Sequence, residues 1–134
     1  MEFYCGTDII EVDRVREAIL GNNGFKEKIF TKKEIETANM KSEKTKYEYY
    51  AGRFAAKEAI YKAISKVKDD FAFWKVEIVN DKENKNRPVA IFLDDELYNM
   101  QKRGEIEVDI SISHISSCAT AMAIVKLSKI GNLT

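Results

Sequence analysis

Three short stretches of the chain carry the residue types that chemistry needs. Gly6-Thr7-Asp8 puts a carboxylate where an apolar strand gives way to a helix. An acid at the end of a rigid element can hold a hard divalent cation or orient a nucleophile, and on the tripeptide alone a turn acid or helix cap is the simpler alternative. The second stretch is Arg53-Phe54-Ala55-Ala56-Lys57-Glu58-Ala59-Ile60-Tyr61-Lys62. At helical spacing Glu58 and Lys62 stand one turn apart on one face, and Arg53 and Lys57 form a neighbouring i, i+4 pair. Between Glu43 and Lys68 seven bases meet three acids, a local positive excess that suits an anionic ligand. The alternative is a solvated face on which Glu58 and Lys62 make a surface pair worth ~0.3 to 0.5 kcal/mol. The third stretch, Ser111-Ile112-Ser113-His114, ends in the only histidine of the chain. Such a histidine can donate to a phosphate or ribose or act as an acid or base, or it can be plain hydrogen-bonded structure. Neither serine lies in a nucleophile elbow, which argues against a Ser-His-acid hydrolase.

The elements that must position these residues follow from hydrophobic period and caps. Phe3 to Ile10 reads as a strand running into a helix over Glu11 to Leu20, with Val12, Val15, Ile19 and Leu20 near one face. Asn22-Asn23-Gly24 ends it with residues that tolerate positive φ. Phe25 to Phe30 is a short amphipathic turn or helix, and Thr31-Lys32-Lys33-Glu34 forms a capping box for a helix to about Asn39. Lys41 to Lys46 reads as a solvated connection, and the longest helix starts near Glu43 or Tyr47 and reaches Ser65. Trp74 to Asn80 and Pro88 to Leu93 read as a hairpin around the polar turn Asp81 to Asn86. A helix over Asp94 to Lys102 stops at Gly104. Ile106 to His114, with Ile106, Val108, Ile110 and Ile112 inward, and Ala119 to Leu127 make a second hairpin turning at Ser116-Ser117. The expected class is α+β, a largely antiparallel sheet packed against a long helix, in a single domain over residues 1–134.

Composition narrows the function. With 22 basic and 22 acidic side chains in 134 residues the formal charge is zero, so the broad positive field of a dedicated nucleic-acid binder is absent. Any charge-driven function must be local. Cys5 and Cys118, the two cysteines, lack the spacing of a zinc site or redox pair and read as buried free thiols of a reducing compartment. The acids Glu2, Asp8 and Glu11 near the N-terminus do not suit a signal peptide, and no apolar run approaches the roughly 20 residues that span a bilayer. The expectation is a soluble cytoplasmic protein with neither nucleic acid nor membrane as partner.

Taken in order, Gly6 to Glu11 (Gly-Thr-Asp-Ile-Ile-Glu), Gly52 to Ala59 (Gly-Arg-Phe-Ala-Ala-Lys-Glu-Ala) and Ser111 to His114 resemble the holo-[acyl-carrier-protein] synthase family of small 4'-phosphopantetheinyl transferases. Trp74 to Ile78 and Asn84 to Pro88 fall where that family has its central hairpin. The resemblance implies the 4'-phosphopantetheinyl transferase fold, assembled as a homotrimer with sites at subunit interfaces. The implied reaction moves 4'-phosphopantetheine from coenzyme A to a serine of apo acyl carrier protein, releasing adenosine 3',5'-bisphosphate, in cytoplasmic fatty acid biosynthesis and lipid metabolism. By motif, Asp8 and Glu58 match the family's magnesium ligands and Lys62 a phosphate-side lysine, so these three are the implied catalytic set. Arg53, Lys57, Arg87, Pro88, Ser113 and His114 match positions expected near coenzyme A. The competing reading is a catalytically silent module that binds a nucleotide or an acidic protein through the same basic helix.

Elementary chemistry agrees with the implied activity. Transfer across a pyrophosphate needs a hard cation bridging anionic oxygens, and magnesium takes only one or two protein carboxylates besides phosphates and waters. Lys62 would offset the remaining charge, and the nucleophile belongs to the carrier. A metal-bound water or a carboxylate takes the serine proton; the sequence does not choose between them. Where the family usually has Gly-Lys-Pro this chain has Asn86-Arg87-Pro88, in which Asn tolerates positive φ and Arg keeps the charge. After His114 the family often has a polar residue, whereas Ile115 supplies none and Ser116 is the next hydroxyl. The trimer contact is expected on the last two strands, through Ile110, Ile112, Ala119, Ala121, Met122 and Ala123. Arg14 to Lys33 holds six bases against two acids. The family docks its acidic carrier on the first helix, which marks Arg14 as a partner-binding residue.

Overall fold

The structure, a computed structural model, describes residues 1–128. Strand β1 (Glu2–Glu11) leads directly into helix α1 (Val12–Leu20), followed by α2 (Phe25–Ile29), α3 (Lys32–Asn39) and the long helix α4 (Glu43–Ile64). A hairpin of β2 (Val76–Asp81) and β3 (Arg87–Phe92), helix α5 (Asp95–Lys102), and the hairpin of β4 (Ile106–His114) and β5 (Cys118–Leu127) complete the chain. The strands form an antiparallel three-stranded sheet in the order β1-β5-β4 and a separate two-stranded sheet, β2-β3. The class is α+β, as its patterns predict.

The local signals act where they stand in the sequence. Thr31 and Glu34 form a reciprocal capping box at the start of α3, the Ser42 hydroxyl accepts from Thr45 N at the start of α4, and the Asp94 carboxylate accepts from Leu97 N at the start of α5. The stretch expected as a solvated connection therefore already contains the first turn of α4. Asn86 adopts φ 59° and Lys85 φ 58°, so the β2-β3 turn uses the positive-φ tolerance of Asn at the position where the resembling family has Gly. Trp74 lies outside β2. It sits in a turn closed by Lys75 N donating to Ala72 O at 2.9 Å, with its ring edge-on to Phe73 and beneath the Lys28 ammonium. Half-buried against Phe73 rather than paired with β3, it leaves the strand to start at Val76.

Helix α4 is buried on most of its circumference, and its small residues Ala51, Gly52, Ala55, Ala56, Ala59 and Ala63 let neighbours approach closely. One core joins its C-terminal half to the β2-β3 hairpin, α5 and the helix-facing side of β4 and β5. A second joins its N-terminal half to α1, α2 and α3 through Phe30, Tyr47 and Tyr50. The closest approach is at Gly6 of β1, where a Cβ would come within 2.0 Å of Ala59 O. No side chain fits there, so glycine sets the distance between β1 and α4.

Strand alternation puts Tyr4, Gly6, Asp8 and Ile10 of β1 on the helix side and Phe3, Cys5, Thr7 and Ile9 on the other. Ile110, Ile112, Ala119, Ala121 and Ala123 also face α4, which corrects their expected place in a subunit contact; of that set only Met122 lies on the open face. Cys5 is exposed and Cys118 half-buried, so neither is the enclosed thiol expected from apolar neighbours in sequence. In a period-2 strand the adjacent residue lies on the opposite face, and sequence neighbours say little about burial.

Candidate active site

Asp8 is on the helix side of β1, one strand step past Gly6, with its side chain 16 % exposed. Two threonine hydroxyls tie this part of β1 to β5. Thr120 Oγ1 donates to Asp8 O at 2.9 Å, and Thr7 Oγ1 donates to Ala121 O at 3.2 Å. Because Gly6 brings β1 against Ala59, the helix residues one position before and three after Ala59 come to the Asp8 side chain. Lys62 Nζ donates to Thr7 O at 3.0 Å and to Asp8 Oδ1 at 3.2 Å. Among the described residues its ion-pair partner is thus Asp8, across 54 positions of sequence, and not Glu58 one turn back on its own helix.

Glu58 completes the group. Burial pushes its carboxyl above the ordinary carboxylate value, the Asp8 charge pushes it the same way, and Lys62 opposes both. The Glu58 carboxyl, raised by burial and by the Asp8 charge with one lysine acting against both, lies in a site short of positive charge. Among the described residues no cluster of three or more His, Cys, Asp or Glu side chains is present. The protein therefore offers two carboxylates, a donor set that fits a hard divalent cation taking its other oxygens from phosphate and water and does not fit a closed protein cage. Asp8 and Glu58 line a cleft of about 670 Å³ between β1, α1 and α4, together with Glu11, Arg14, Phe54 and Cys118.

The other residues singled out by sequence fall into separate places. Arg53 is 9 % exposed; its Nη2 donates to Asn80 Oδ1 at 2.7 Å, its guanidinium lies 4.2 Å from the Tyr49 ring centroid, and its buried Nε has no partner among the described residues. It lines a depression of about 710 Å³ shared with Lys33, Lys82 and Asn86. Arg87 and Pro88 border a smaller groove of about 280 Å³ with Ser111 and Met122, and Arg87 reaches Asp109 at 3.5 Å. Ser113 and His114 point to opposite faces of β4, the serine to the open side of the sheet.

Lys57 is the exception to the expected ligand set. It is fully enclosed, paired with Glu34 at 2.9 Å with both side chains 0 % exposed, and it donates to Val76 O at 2.7 Å. Glu34 accepts in addition from Thr31 N and Ile78 N, while Thr31 Oγ1 donates to Glu77. Burial lowers the Lys57 ammonium's pKa and the Glu34 charge acts against that. This network ties α3, α4 and β2 together beneath the surface. Sequence reasoning missed Glu34 as its partner, as it missed Glu48, Asn80 and Thr120. Only Glu48 left a signal, its position four residues before Gly52 on the motif helix.

The family model of the 4'-phosphopantetheinyl transferase superfamily matches residues 4–115. The chain is 43 % identical over 123 residues to the holo-[acyl-carrier-protein] synthase of Fusobacterium nucleatum, covering 90 % of this chain and 95 % of that protein. To the synthase of Clostridium acetobutylicum it is 39 % identical over 122 residues, covering 91 % and 95 %. Among solved structures it is similar to a holo-(acyl-carrier-protein) synthase from Bacillus anthracis in complex with CoA (3',5'-ADP), with TM-score 0.74, 31 % identity and coverage of 93 % and 96 %. A Helicobacter pylori synthase in complex with coenzyme A gives TM-score 0.72 at 25 % identity over 91 % and 99 % of the two chains.

Proposed function

The chain belongs to the 4'-phosphopantetheinyl transferase superfamily and is a transferase, and on that premise we propose that it moves 4'-phosphopantetheine from coenzyme A to a serine of apo acyl carrier protein in fatty acid biosynthesis. The serine hydroxyl forms a new P–O bond at the pantetheine-side phosphorus, the pyrophosphate P–O bond breaks, and adenosine 3',5'-bisphosphate leaves. The observation that carries this reading is that Asp8 and Glu58 line one cleft together with Arg14, with Lys62 paired to Asp8 at 3.2 Å. Asp8 and Glu58 would hold a magnesium ion, whose chemistry when bound is to neutralise the pyrophosphate oxygens.

Lys62, half exposed and paired with Asp8, supplies positive charge to the leaving phosphate. In the metal-free site burial and the Asp8 charge hold the Glu58 carboxyl above the ordinary range, an electrostatic cost that a bound cation would relieve. Arg53, with a buried and unpartnered Nε, and Arg87, Pro88, Ser113 and His114 are proposed as coenzyme contacts. Lys57, enclosed by Glu34 and Val76, supports the helix instead.

The proposal extends to a cytoplasmic protein of one domain over residues 1–134 working as a homotrimer. No helix among the described residues is long and apolar enough to cross a membrane. The family resemblance supplies the number three. The open face of the three-stranded sheet supports an assembly, since Phe3 (63 % exposed), Ile9 (69 %), Met122 (48 %) and Ile124 (41 %) stand there without cover. Mass spectrometry tests the reaction. Apo carrier incubated with the protein, coenzyme A and magnesium gains one phosphopantetheine group; a carrier of unchanged mass would leave only the silent binding module.

A further inference from the structure

The only histidine of the chain is held by a residue outside the set proposed above. Ile112 and His114, two residues apart on β4, both turn toward α4. A Cβ on Gly52 would lie 3.0 Å from Ile112 Cγ2, so the Ile112 side chain packs directly on the bare backbone of α4 at Gly52. Glu48 stands four residues before Gly52, a step of about 6 Å along the helix. His114 stands two residues beyond Ile112, a step of about 6.6 Å along the strand. The steps match, and Glu48 Oε1 meets His114 Nδ1 at 3.5 Å. The Glu48 side chain is 12 % exposed and that of His114 46 %, so the ring is gripped from the protein side and open on the other.

We propose that Glu48 is a positioning residue whose carboxylate holds the His114 ring at Nδ1 and turns Nε2 outward as an acceptor for a hydroxyl or N–H group of the coenzyme's nucleotide end. A carboxylate behind one ring nitrogen selects the tautomer with the proton on that nitrogen and stops the ring from flipping. Nε2 is then left unprotonated, an acceptor for a donor group of the ligand. Gly52 belongs to the arrangement, because a Cβ there would crowd the Ile112 methyl at 3.0 Å. The inference rests on the proposed coenzyme-binding role of His114 for the identity of the ligand.

The test compares the full-length parent with Glu48→Ala, Glu48→Gln, His114→Ala and the double variant Glu48→Ala/His114→Ala. Steady-state kinetics give separate KM values for coenzyme A and apo carrier. Glu48→Ala raises the coenzyme A KM about three- to tenfold, the ratio of one ordinary hydrogen bond, with kcat and the carrier KM within about twofold. Glu48→Gln, which can still accept from Nδ1–H, restores most of the loss, and the double variant is no worse than His114→Ala. The single histidine gives one pair of imidazole nitrogen signals in 15N NMR. In the metal- and coenzyme-free parent these show the proton on Nδ1, and in Glu48→Ala they average between tautomers. If His114→Ala raises the coenzyme KM while folded Glu48→Ala changes neither KM nor the nitrogen signals, the role of Glu48 is overturned and that of His114 stands. If His114→Ala leaves the coenzyme KM unchanged, the coenzyme reading of His114 fails and the function of the pair fails with it.

Discussion

Lys57→Met separates a role in the fold from a role at the ligand. Met keeps most of the volume of the lysine stem and removes the ammonium. Glu34 then keeps its two backbone donors, Thr31 N and Ile78 N, but loses the cation at 2.9 Å, and Val76 O loses its only side-chain donor among those described. With both side chains of the pair 0 % exposed, solvent screens nothing, and breaking one side of such a pair costs about 3 to 5 kcal/mol. At about 2.1 cal/mol/K of unfolding entropy per residue, 134 residues give about 0.28 kcal/mol/K, so the expected fall in Tm is roughly 10 to 18 °C. In a Glu34→Gln background the same substitution costs less, by about 1 to 3 kcal/mol, because the stranded charge is already gone. Urea and thermal unfolding measure both differences. Below its lower Tm the variant keeps the parent's KM for coenzyme A. A variant of parental stability whose coenzyme KM rises tenfold would place Lys57 at the ligand and refute the reasoning.

Gly6→Ala forces β1 off α4, since its Cβ would stand 2.0 Å from Ala59 O; we expect destabilisation of about 1 to 3 kcal/mol and a loss of turnover beyond tenfold, and parental activity would show that this approach does not set the site. Glu58 holds its proton more tightly folded than unfolded, so between the ordinary 4.5 and its raised pKa the folded state binds more protons and its stability falls as pH rises. The stability of metal-free Glu58→Gln minus that of the parent should therefore grow with pH through that window, and a flat difference in urea midpoints from pH 4.5 to 7 would contradict the shift. Arg14→Glu is expected to weaken carrier binding by roughly 1 to 3 kcal/mol, more at low salt, with coenzyme KM unchanged; a carrier KM equal to the parent's at low salt places the docking site elsewhere. Met122→Arg on the open sheet face should lower the mass seen in light scattering from trimer toward monomer, and an unmoved mass would put the subunit contact on another surface.

The elements, and much of the candidate site, were legible in the order of residues. Thr31 with Glu34, Ser42, Asp94 and Asn86 are local devices whose partners lie within a few residues, so their chemistry acts wherever the chain goes. The alternation of Ile106, Val108, Ile110 and Ile112 likewise assigned β4 and its inner face, because a strand has only two faces. Asp8, Glu58 and Lys62 were legible as three residues on two elements. Only the tertiary structure decided how charges pair and which groups are enclosed. Lys62 pairs with Asp8 and not with its helical neighbour Glu58, and Lys57 turns inward to Glu34 although it looks on paper like another base of a solvated face. Cys5 faces out and Asp8 faces in for the same reason that Gly6 lies against Ala59, namely that one bare backbone position fixes how β1 sits on α4. Pairing across tens of residues depends on distances between packed elements, and periodicity along one element carries no record of the element that will lie opposite.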